Sequence, residues 1–253
     1  MRAAADALEG RTAIVTGASS GIGMAVGRAL AEAGASVVLA ARRAERLETL
    51  AQEIRDRGGA AKACATDVTR RAEVEALVAH TSEVFGPVDI LVNNAGVMPL
   101  SPLAEVRVDD WEQMVDVNIK GVLFGIGAAL PIMLGEGRGH IVNIGSVAGR
   151  RPFPGGTVYS ATKFALRALT AGIQLELSAA SGIRVTDVQP GVVDTELADH
   201  IPDAAQRDAF LERWSEKRAL RASDVAAAVM HAVTAPPHVN INEILIRPTD
   251  QPT

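Results

Sequence analysis

A tyrosine and a lysine four positions apart, Tyr159 and Lys163, are the residues whose types and spacing point most directly to chemistry. On a helix, that spacing places both side chains on one face, a single turn apart. A free tyrosine hydroxyl has a pKa of about 10, and a neighbouring ammonium group lowers it by stabilising the phenolate. Tyr159 is therefore a candidate general acid/base. The alternative is an ordinary pair of side chains on a helix surface.

Two polar residues nearer the N-terminus could complete such a site. Ser146 follows a predicted strand, where its hydroxyl could donate a hydrogen bond to a substrate oxygen or could simply cap a turn. Asn118 lies within a predicted helix, although asparagine is a weak helix former. It could hold a water molecule behind Lys163, but spacing alone favours a solvated polar face.

A glycine-rich turn near the N-terminus could bring a nucleotide to these residues. An apolar strand that begins at Thr12 runs into glycines at positions 17, 21 and 23 and then into an amphipathic helix. Gly17 permits a tight turn, Gly21 lets the backbone approach a ligand, and Gly23 lets the helix pack closely on the strand. Exposed N–H groups at such a helix start attract a pyrophosphate. Because a strand and a helix flank the turn, the pattern favours dinucleotide binding over an ordinary turn.

The composition argues against several other classes of function. The 25 basic and 30 acidic residues give a net charge of -5, with no basic stripe for nucleic acid and no polybasic segment for a lipid surface. The weakly polar run from Gly121 to Leu134 is too short to span a membrane. No group of His, Cys and carboxylate residues has metal-ligand spacing. We therefore expect a small-molecule partner, no nucleic acid, no membrane and no metal.

Cys64 is the only cysteine, so no intrachain disulfide can form. The first ten residues also lack the uninterrupted apolar core of a signal peptide. Both features favour a cytoplasmic location.

The apolar runs predict a single α/β domain over residues 1–253. Buried strands alternate with amphipathic helices, which is typical of a doubly wound parallel sheet of about seven strands with helices on both faces. Residues 194–220 are the most polar and least periodic part and are expected to form a substrate lid. The predicted strands cover residues 12–16, 36–41, 61–66, 89–93, 140–144, 183–189 and 243–246.

Seven motifs, in order along almost the whole chain, resemble those of the short-chain dehydrogenases/reductases of the classical type. They are Thr16-Gly-Ala-Ser-Ser-Gly-Ile-Gly23, Asp67-Val68, Asn93-Asn94-Ala95-Gly96, Asn118, Ser146, Tyr159-Ser-Ala-Thr-Lys163 and Pro190-Gly191-Val-Val-Asp-Thr195. The resemblance implies a Rossmann-like domain and a catalytic tetrad. Tyr159 would be the acid/base, and Lys163 would lower its pKa and hold the nicotinamide ribose. Ser146 would position the substrate carbonyl, and Asn118 would hold a relay water.

The resemblance also implies how the cofactor is held. Asp67 and Val68 would flank the adenine, residues 94–96 would support the ribose, and the segment after the sixth strand would meet the carboxamide and the phosphates. One departure is Gly145, where many relatives carry a second serine, and we expect no effect on the chemistry. The implied cofactor-binding residues are Gly17, Ser19, Ser20, Gly21, Ile22, Gly23, Arg42, Arg43, Asp67, Val68, Asn94, Ala95, Gly96, Tyr159, Lys163, Pro190, Gly191, Val193 and Thr195.

The end of the second strand bears on which cofactor is used. A carboxylate there would bind a free 2′-hydroxyl, whereas arginine favours a 2′-phosphate. The chain has Arg42 and Arg43 at this point, with Ser19 and Ser20 as further donors, so we predict NADP(H). The alternative is that the two arginines are only the charged start of a helix.

The segment from His238 to Gln251 resembles the branch of the family that contains clavaldehyde dehydrogenase and the serine or 3-hydroxy-acid dehydrogenases. The resemblance implies an NADP(H)-dependent carbonyl reductase or alcohol dehydrogenase, assembled as a homotetramer or homodimer. Other hypotheses are a nucleotide-binding sensor or scaffold, an NAD-dependent alcohol oxidation, and a dehydratase or epimerase on the same fold. The candidate substrate residues are Met98, Ala148, Phe153, Val192 and Trp214.

Overall fold

The computed structural model describes residues 7–215 and 218–251, and leaves the side chains of residues 178–180 and 213–215 undescribed. Seven parallel strands form one sheet in the order β3-β2-β1-β4-β5-β6-β7. The predicted Rossmann-like, doubly wound α/β fold with seven strands is therefore confirmed. The strands are β1 (Thr12–Thr16), β2 (Ser36–Ala41), β3 (Ala60–Ala65), β4 (Ile90–Asn93), β5 (Gly139–Ile144), β6 (Ile183–Pro190) and β7 (Glu243–Ile246).

Helices cover both faces of the sheet and form two apolar cores with it. One core joins the sheet to the helices that carry Val26, Leu47 and Val229, and the other joins it to those that carry Leu77 and Ile126. The helices are α1 (Gly21–Glu32), α2 (Ala44–Asp56), α3 (Arg71–Phe85), α4 (Val108–Val115), α5 (Gly121–Glu136), α6 (Thr157–Ser181), α7 (Ala204–Ser215) and α8 (Ala222–Val233).

The strand order reverses between β1 and β4, which determines where a ligand can bind. The chain proceeds outward from β1 through β2 to β3 on one side, and from β4 to β7 on the other. The loops that follow β1 and β4 therefore turn away from each other at the carboxyl edge of the sheet. In open α/β sheets this divergence leaves the crevice in which ligands bind.

The predicted helix that carries Asn118 runs from Val108 to Glu136 and contains one turn of π-helix, Asp116–Lys120. An apolar period of 3.6 residues does not reveal such a turn, which inserts one extra residue and is frequent at functional sites. By length and composition this helix could cross a membrane, although the weakly polar run within it spans only Gly121 to Leu134. Ile126, Ala129 and Met133 pack in the second core, as in the core helix of a globular domain.

Candidate active site

A cavity of about 970 Å³ lies at the carboxyl edge of the sheet, where the strand order reverses. Among the predicted site residues, Gly23 and Asn118 lie behind its wall, and the side chain of Trp214 is outside the described residues. The others line the cavity: Gly17, Ser19, Ser20, Gly21, Ile22, Arg42, Arg43, Asp67, Val68, Asn94, Ala95, Gly96, Met98, Ser146, Ala148, Phe153, Tyr159, Lys163, Pro190, Gly191, Val192, Val193 and Thr195.

Tyr159, Lys163 and Ser146 meet at one end of the cavity because α6 packs along β6 and against the short turn Val147–Gly149 that follows β5. The Lys163 Nζ donates a hydrogen bond to the carbonyl oxygen of Ile144 at 2.8 Å, which ties the helix to the end of the strand. The same nitrogen lies 5.9 Å from the centroid of the Tyr159 ring. Ser146 lies two residues beyond the end of β5, and its Oγ accepts a hydrogen bond from the N–H of Ala148. Ser146 therefore caps a short turn and also lines the cavity.

Burial is the main cause of the pKa shifts of Tyr159 and Lys163. It raises the pKa of Tyr159 to about 12, while a hydrogen bond with Ser146 acts in the opposite direction. Burial also lowers the pKa of Lys163 to about 8, against the charge of Asp187, which raises it. In the protein by itself the pKa of Tyr159 is therefore raised, because desolvation of the phenolate outweighs the hydrogen bond with Ser146. The lowering expected from Lys163 together with the positive charge of an oxidised nicotinamide stays a prediction.

Asn118 is buried, with 1% of its surface exposed, so the predicted solvated polar face is wrong. Its Oδ1 accepts a hydrogen bond from the N–H of Val97, and its Nδ2 donates to the Val97 carbonyl oxygen and to the Thr162 Oγ1. The π-helical turn directs this side chain into the protein. Asn118 therefore connects the loop after β4 to the helix that carries Tyr159.

The glycine-rich turn is packed too tightly for side chains. Gly17 and Gly21 have φ angles of +65° and +51°, in the left-handed region that favours glycine. A Cβ atom on Gly23 would lie 2.4 Å from the carbonyl oxygen of Gly17 and 2.4 Å from the Nδ2 of Asn94. The first turn of α1 also has no side-chain cap. Its N–H groups remain available to a ligand, since Gly21 and Ile22 line the cavity.

Arg43 organises the far end of the cavity, where β2 ends. Its Nε donates a hydrogen bond to the Ser19 Oγ at 3.0 Å, and its Nη2 donates to the Ser20 Oγ at 2.7 Å. Its Nη1 lies 2.8 Å from an oxygen of the Glu196 carboxylate, which also pairs with Arg46. Arg42 lines the same end of the cavity without such contacts to the serines. The two donors predicted from the glycine turn thus lie beside one of the two predicted arginines.

Sequence reasoning missed several residues that line the cavity. Glu196 stands in the least periodic part of the chain, where no pattern marks it. Arg247 lies in the segment that resembles a branch of the family, where no local pattern marks it for chemistry. Arg150 was part of a polar loop, and in the structure it contacts Gln189 and Glu243. These contacts join segments far apart in the chain, so no local signal reveals them.

Comparison with known protein sequences gives relatives that are oxidoreductases or reductases. An uncharacterized oxidoreductase of Staphylococcus saprophyticus is 46% identical over 242 residues, which cover 95% of this chain and 97% of that protein. The glycine betaine reductase of Emericella nidulans is 47% identical over 245 residues. That alignment covers 97% of this chain but 19% of that protein, so the chain corresponds to one part of it.

Solved structures with the same fold contain both nicotinamide cofactors. A serine dehydrogenase in complex with NADP+ has a TM-score of 0.88 at 36% identity and covers 96% of each chain. A gluconate 5-dehydrogenase from Burkholderia cenocepacia, in complex with NADP and tartrate, has a TM-score of 0.84 at 35% identity and covers 97% of each chain. A short-chain dehydrogenase/reductase from Burkholderia phymatum with NAD has a TM-score of 0.86 at 33% identity, covering 94% of this chain and 89% of that one.

These relatives agree with the predicted branch of serine and hydroxy-acid dehydrogenases. The family described as short chain dehydrogenase matches residues 11–206, which include the glycine turn and the Tyr159–Lys163 helix. With this match and the oxidoreductase relatives, the chain belongs to the short-chain dehydrogenase/reductase family of oxidoreductases.

Proposed function

We propose that this protein is an NADP(H)-dependent oxidoreductase that interconverts a carbonyl compound and the corresponding alcohol. One observation carries the proposal: Tyr159, Ser146 and Lys163 converge on the cavity whose other end is formed by the glycine turn and Arg43. A candidate acid/base group and a candidate nucleotide-binding turn thus share one cavity.

The residues around the cavity fit a dinucleotide. The close packing at Gly23 and the uncapped start of α1 leave a concave backbone surface with free N–H groups for a pyrophosphate. Asp67 and Val68 would flank the adenine, and Val193 and Thr195 would meet the carboxamide and the phosphates; all four line the cavity. When bound, the cofactor supplies or accepts the hydride at its nicotinamide ring.

The protein's own residues supply the proton and position the carbonyl. With its pKa raised to about 12, Tyr159 is protonated at neutral pH and can donate its proton to a carbonyl oxygen as that oxygen gains charge. The Ser146 hydroxyl donates a second hydrogen bond to the same oxygen. Lys163 stabilises the phenolate that remains, and Asn118 would hold a water behind it as a proton relay.

The pKa of Lys163 predicts an upper pH limit for carbonyl reduction. Because its pKa is lowered to about 8, the ammonium is charged below that pH and neutral above it. The ammonium lies 5.9 Å from the centre of the Tyr159 ring, so its positive charge stabilises the phenolate and its loss makes proton donation harder. We expect kcat/KM for carbonyl reduction to fall above about pH 8. Lys163→Arg should abolish this fall in kcat/KM, because arginine stays protonated at alkaline pH. If kcat/KM of the variant still fell above about pH 8, the assignment to Lys163 would be contradicted.

The donors at the adenosine end support NADP(H) over NAD(H). Arg43 and the hydroxyls of Ser19 and Ser20 form a group of donors at the end of β2, which suits a 2′-phosphate. The test follows absorbance of NADPH, and then of NADH, with a panel of aldehydes and ketones. We expect turnover with NADPH at a kcat/KM at least tenfold above that with NADH, and equal or reversed values would refute the cofactor assignment.

Arg247 favours a substrate with a carboxylate. It lines the cavity beside Gly191, and within the described part of the chain its guanidinium has no hydrogen-bond or ion-pair partner. An unpaired guanidinium is suited to bidentate binding of a carboxylate. The serine dehydrogenase and the tartrate-bound gluconate 5-dehydrogenase also point to hydroxy acids and their oxo counterparts as substrates.

Arg247→Met should therefore separate anionic from neutral substrates. Loss of a charge-assisted pair costs about 1.5–3 kcal/mol, so KM for oxo acids should rise at least tenfold. Steady-state kinetics on an oxo acid and on a neutral aldehyde of similar size measure the effect. Because only the oxo acid carries a carboxylate, an equal loss on both substrates would contradict the assignment.

The panel of aldehydes and ketones assayed with NADPH also distinguishes the oxidoreductase from a sensor, a scaffold, a dehydratase or an epimerase. A sensor or scaffold with an unused site would bind the nucleotide without turning any substrate over. A dehydratase or epimerase would convert its substrate without net oxidation of the cofactor. The convergence of Tyr159, Lys163 and Ser146 on the cavity favours the oxidoreductase.

We also propose a homodimer or homotetramer in the cytoplasm. Leu123 on α5 and Phe164 and Leu175 on α6 expose large apolar side chains, which a second copy of the chain would cover. The single cysteine, Cys64, is unpaired, as is usual in a reducing compartment. Segment 194–220 would act as the substrate lid, since Leu197, Ala198, His200 and Phe210 line the cavity.

A further inference from the structure

The Glu196 carboxylate accepts hydrogen bonds from the arginines at the end of β2 and the start of α2. Glu196 approaches from the segment after β6, while Arg43 and Arg46 approach from the start of α2 on the other side of the cavity. One carboxylate oxygen lies 2.8 Å from the Arg43 Nη1, and both oxygens accept from the Arg46 Nη1 at 2.7 and 2.9 Å. Glu196 itself lines the cavity.

This arrangement resembles that of a bound phosphate. Arg43 donates to the hydroxyls of Ser19 and Ser20 through Nε and Nη2, so these bonds hold its guanidinium plane in place. Its Nη1 then points to the Glu196 carboxylate, which provides the negative charge and the acceptor oxygens that a phosphate group would provide. The two arginines hold the pKa of Glu196 at about 2, so the carboxylate is charged at every physiological pH.

The charge of Glu196 affects the two cofactors differently. A nucleotide with a free 2′-hydroxyl brings no charge to this position and can leave the ion pairs intact. A 2′-phosphate brings about two negative charges, which need Arg43 and repel the carboxylate. The carboxylate must then leave Arg43 before the phosphate can use Nη1.

We propose that Glu196 determines cofactor selectivity by competing with the 2′-phosphate of NADP(H) for Arg43 and Arg46. Binding of NADP(H) exchanges one anion for another and releases segment 194–200 from α2, whereas binding of NAD(H) leaves that contact in place. The inference rests on the proposed use of NADP(H), and it adds that the chain restrains its own preference for this cofactor.

Binding of cofactor fragments tests the exchange without catalysis. Isothermal titration of the purified full chain with 2′,5′-ADP and with 5′-AMP compares ligands with and without the phosphate. Because each half-exposed ion pair contributes modestly, we expect Glu196→Gln to bind 2′,5′-ADP about fivefold more tightly. Its affinity for 5′-AMP should change less than about twofold, and the gain should shrink with added salt.

Two further variants show whether the effect acts through Arg43. Asp199→Asn removes the same charge three residues along, at an exposed position without a described ion pair, and should leave both affinities unchanged. In an Arg43→Met background, Glu196→Gln should give at most half of its gain, because one of the contested cations is gone. In the wild-type protein, 2′,5′-ADP but not 5′-AMP should increase hydrogen exchange of segment 194–200.

The outcomes separate this inference from the proposed function. If the wild-type protein binds 2′,5′-ADP and Glu196→Gln brings no gain, or an equal gain for 5′-AMP, the competition is refuted and NADP(H) use stands. If the full gain persists in the Arg43→Met background, the competition for Arg43 is likewise refuted. If neither the wild-type protein nor Glu196→Gln binds 2′,5′-ADP while both bind 5′-AMP, both proposals fail.

Discussion

Tyr159→Phe is expected to lower kcat for carbonyl reduction about 10³-fold while leaving NADPH binding within twofold of the wild-type value. The phenol is buried and lines the cavity near Ser146, and phenylalanine keeps its shape but removes its proton. Its ring still fills the space above Lys163. Stopped-flow measurement of hydride transfer, together with fluorescence titration of NADPH, separates the two effects.

Ser146→Ala provides the matched comparison for this variant. It removes a hydrogen-bond donor to the same substrate oxygen but leaves the proton on Tyr159, so its loss should be smaller, about 10²-fold. Because Ser146 also caps the turn at Ala148, the thermal stability of the Ser146→Ala protein must be measured in parallel. Substantial turnover by Tyr159→Phe would show that the proton comes from another group and would refute the assigned role.

Gly23→Ala is expected to abolish measurable nucleotide binding and to lower the stability of the fold. A Cβ at this position would lie 2.4 Å from the Gly17 carbonyl oxygen, so the turn that carries the free N–H groups would have to move. Overpacking of this kind costs about 1–3 kcal/mol. We expect the melting temperature to fall by about 3–10 °C. Calorimetry and titration with NADPH measure both effects.

Gly135→Ala is the control for the same chemical change. Gly135 is exposed on α5, and a Cβ there would have no described atom within 4 Å apart from the local helix backbone. Alanine should raise stability slightly, by roughly 0.5 kcal/mol, because it reduces the freedom of the unfolded chain. If Gly23→Ala behaved like this control and kept its affinity for NADPH, the close packing assigned to the turn would be wrong.

The fold was predictable from the chain because its strands and helices carry strong local patterns. The inner strands are buried on both faces, so they appear as continuous apolar runs. Strands β2 and β7 begin and end at the predicted residues. The spacing of Tyr159 and Lys163 likewise predicted a helix there, and both lie on α6. The π-helical turn at Asp116–Lys120 was not predictable, because one inserted residue shifts the apolar period without ending the helix.

Asn118 shows why part of the site could not be deduced from spacing. A polar residue within an amphipathic helix is usually solvated, and only the π-helical turn directs this one toward Val97 and Thr162. The roles assigned to the tetrad and the cofactor residues stay predictions. Their placement around one cavity depends on the strand order, which brings the ends of β1, β4, β5 and β6 together.

The sequence by itself determined the parallel sheet, the glycine-rich turn between β1 and α1, and the pairing of a tyrosine with a lysine on one helix face, because each depends on neighbours within a few residues. Only the tertiary structure decided the protonation of Tyr159 and the partner of Arg43. Burial, which raises the pKa of the phenol, depends on the elements packed around it. The Glu196 carboxylate reaches Arg43 from 153 positions away along the chain, since the two segments meet only across the folded sheet edge.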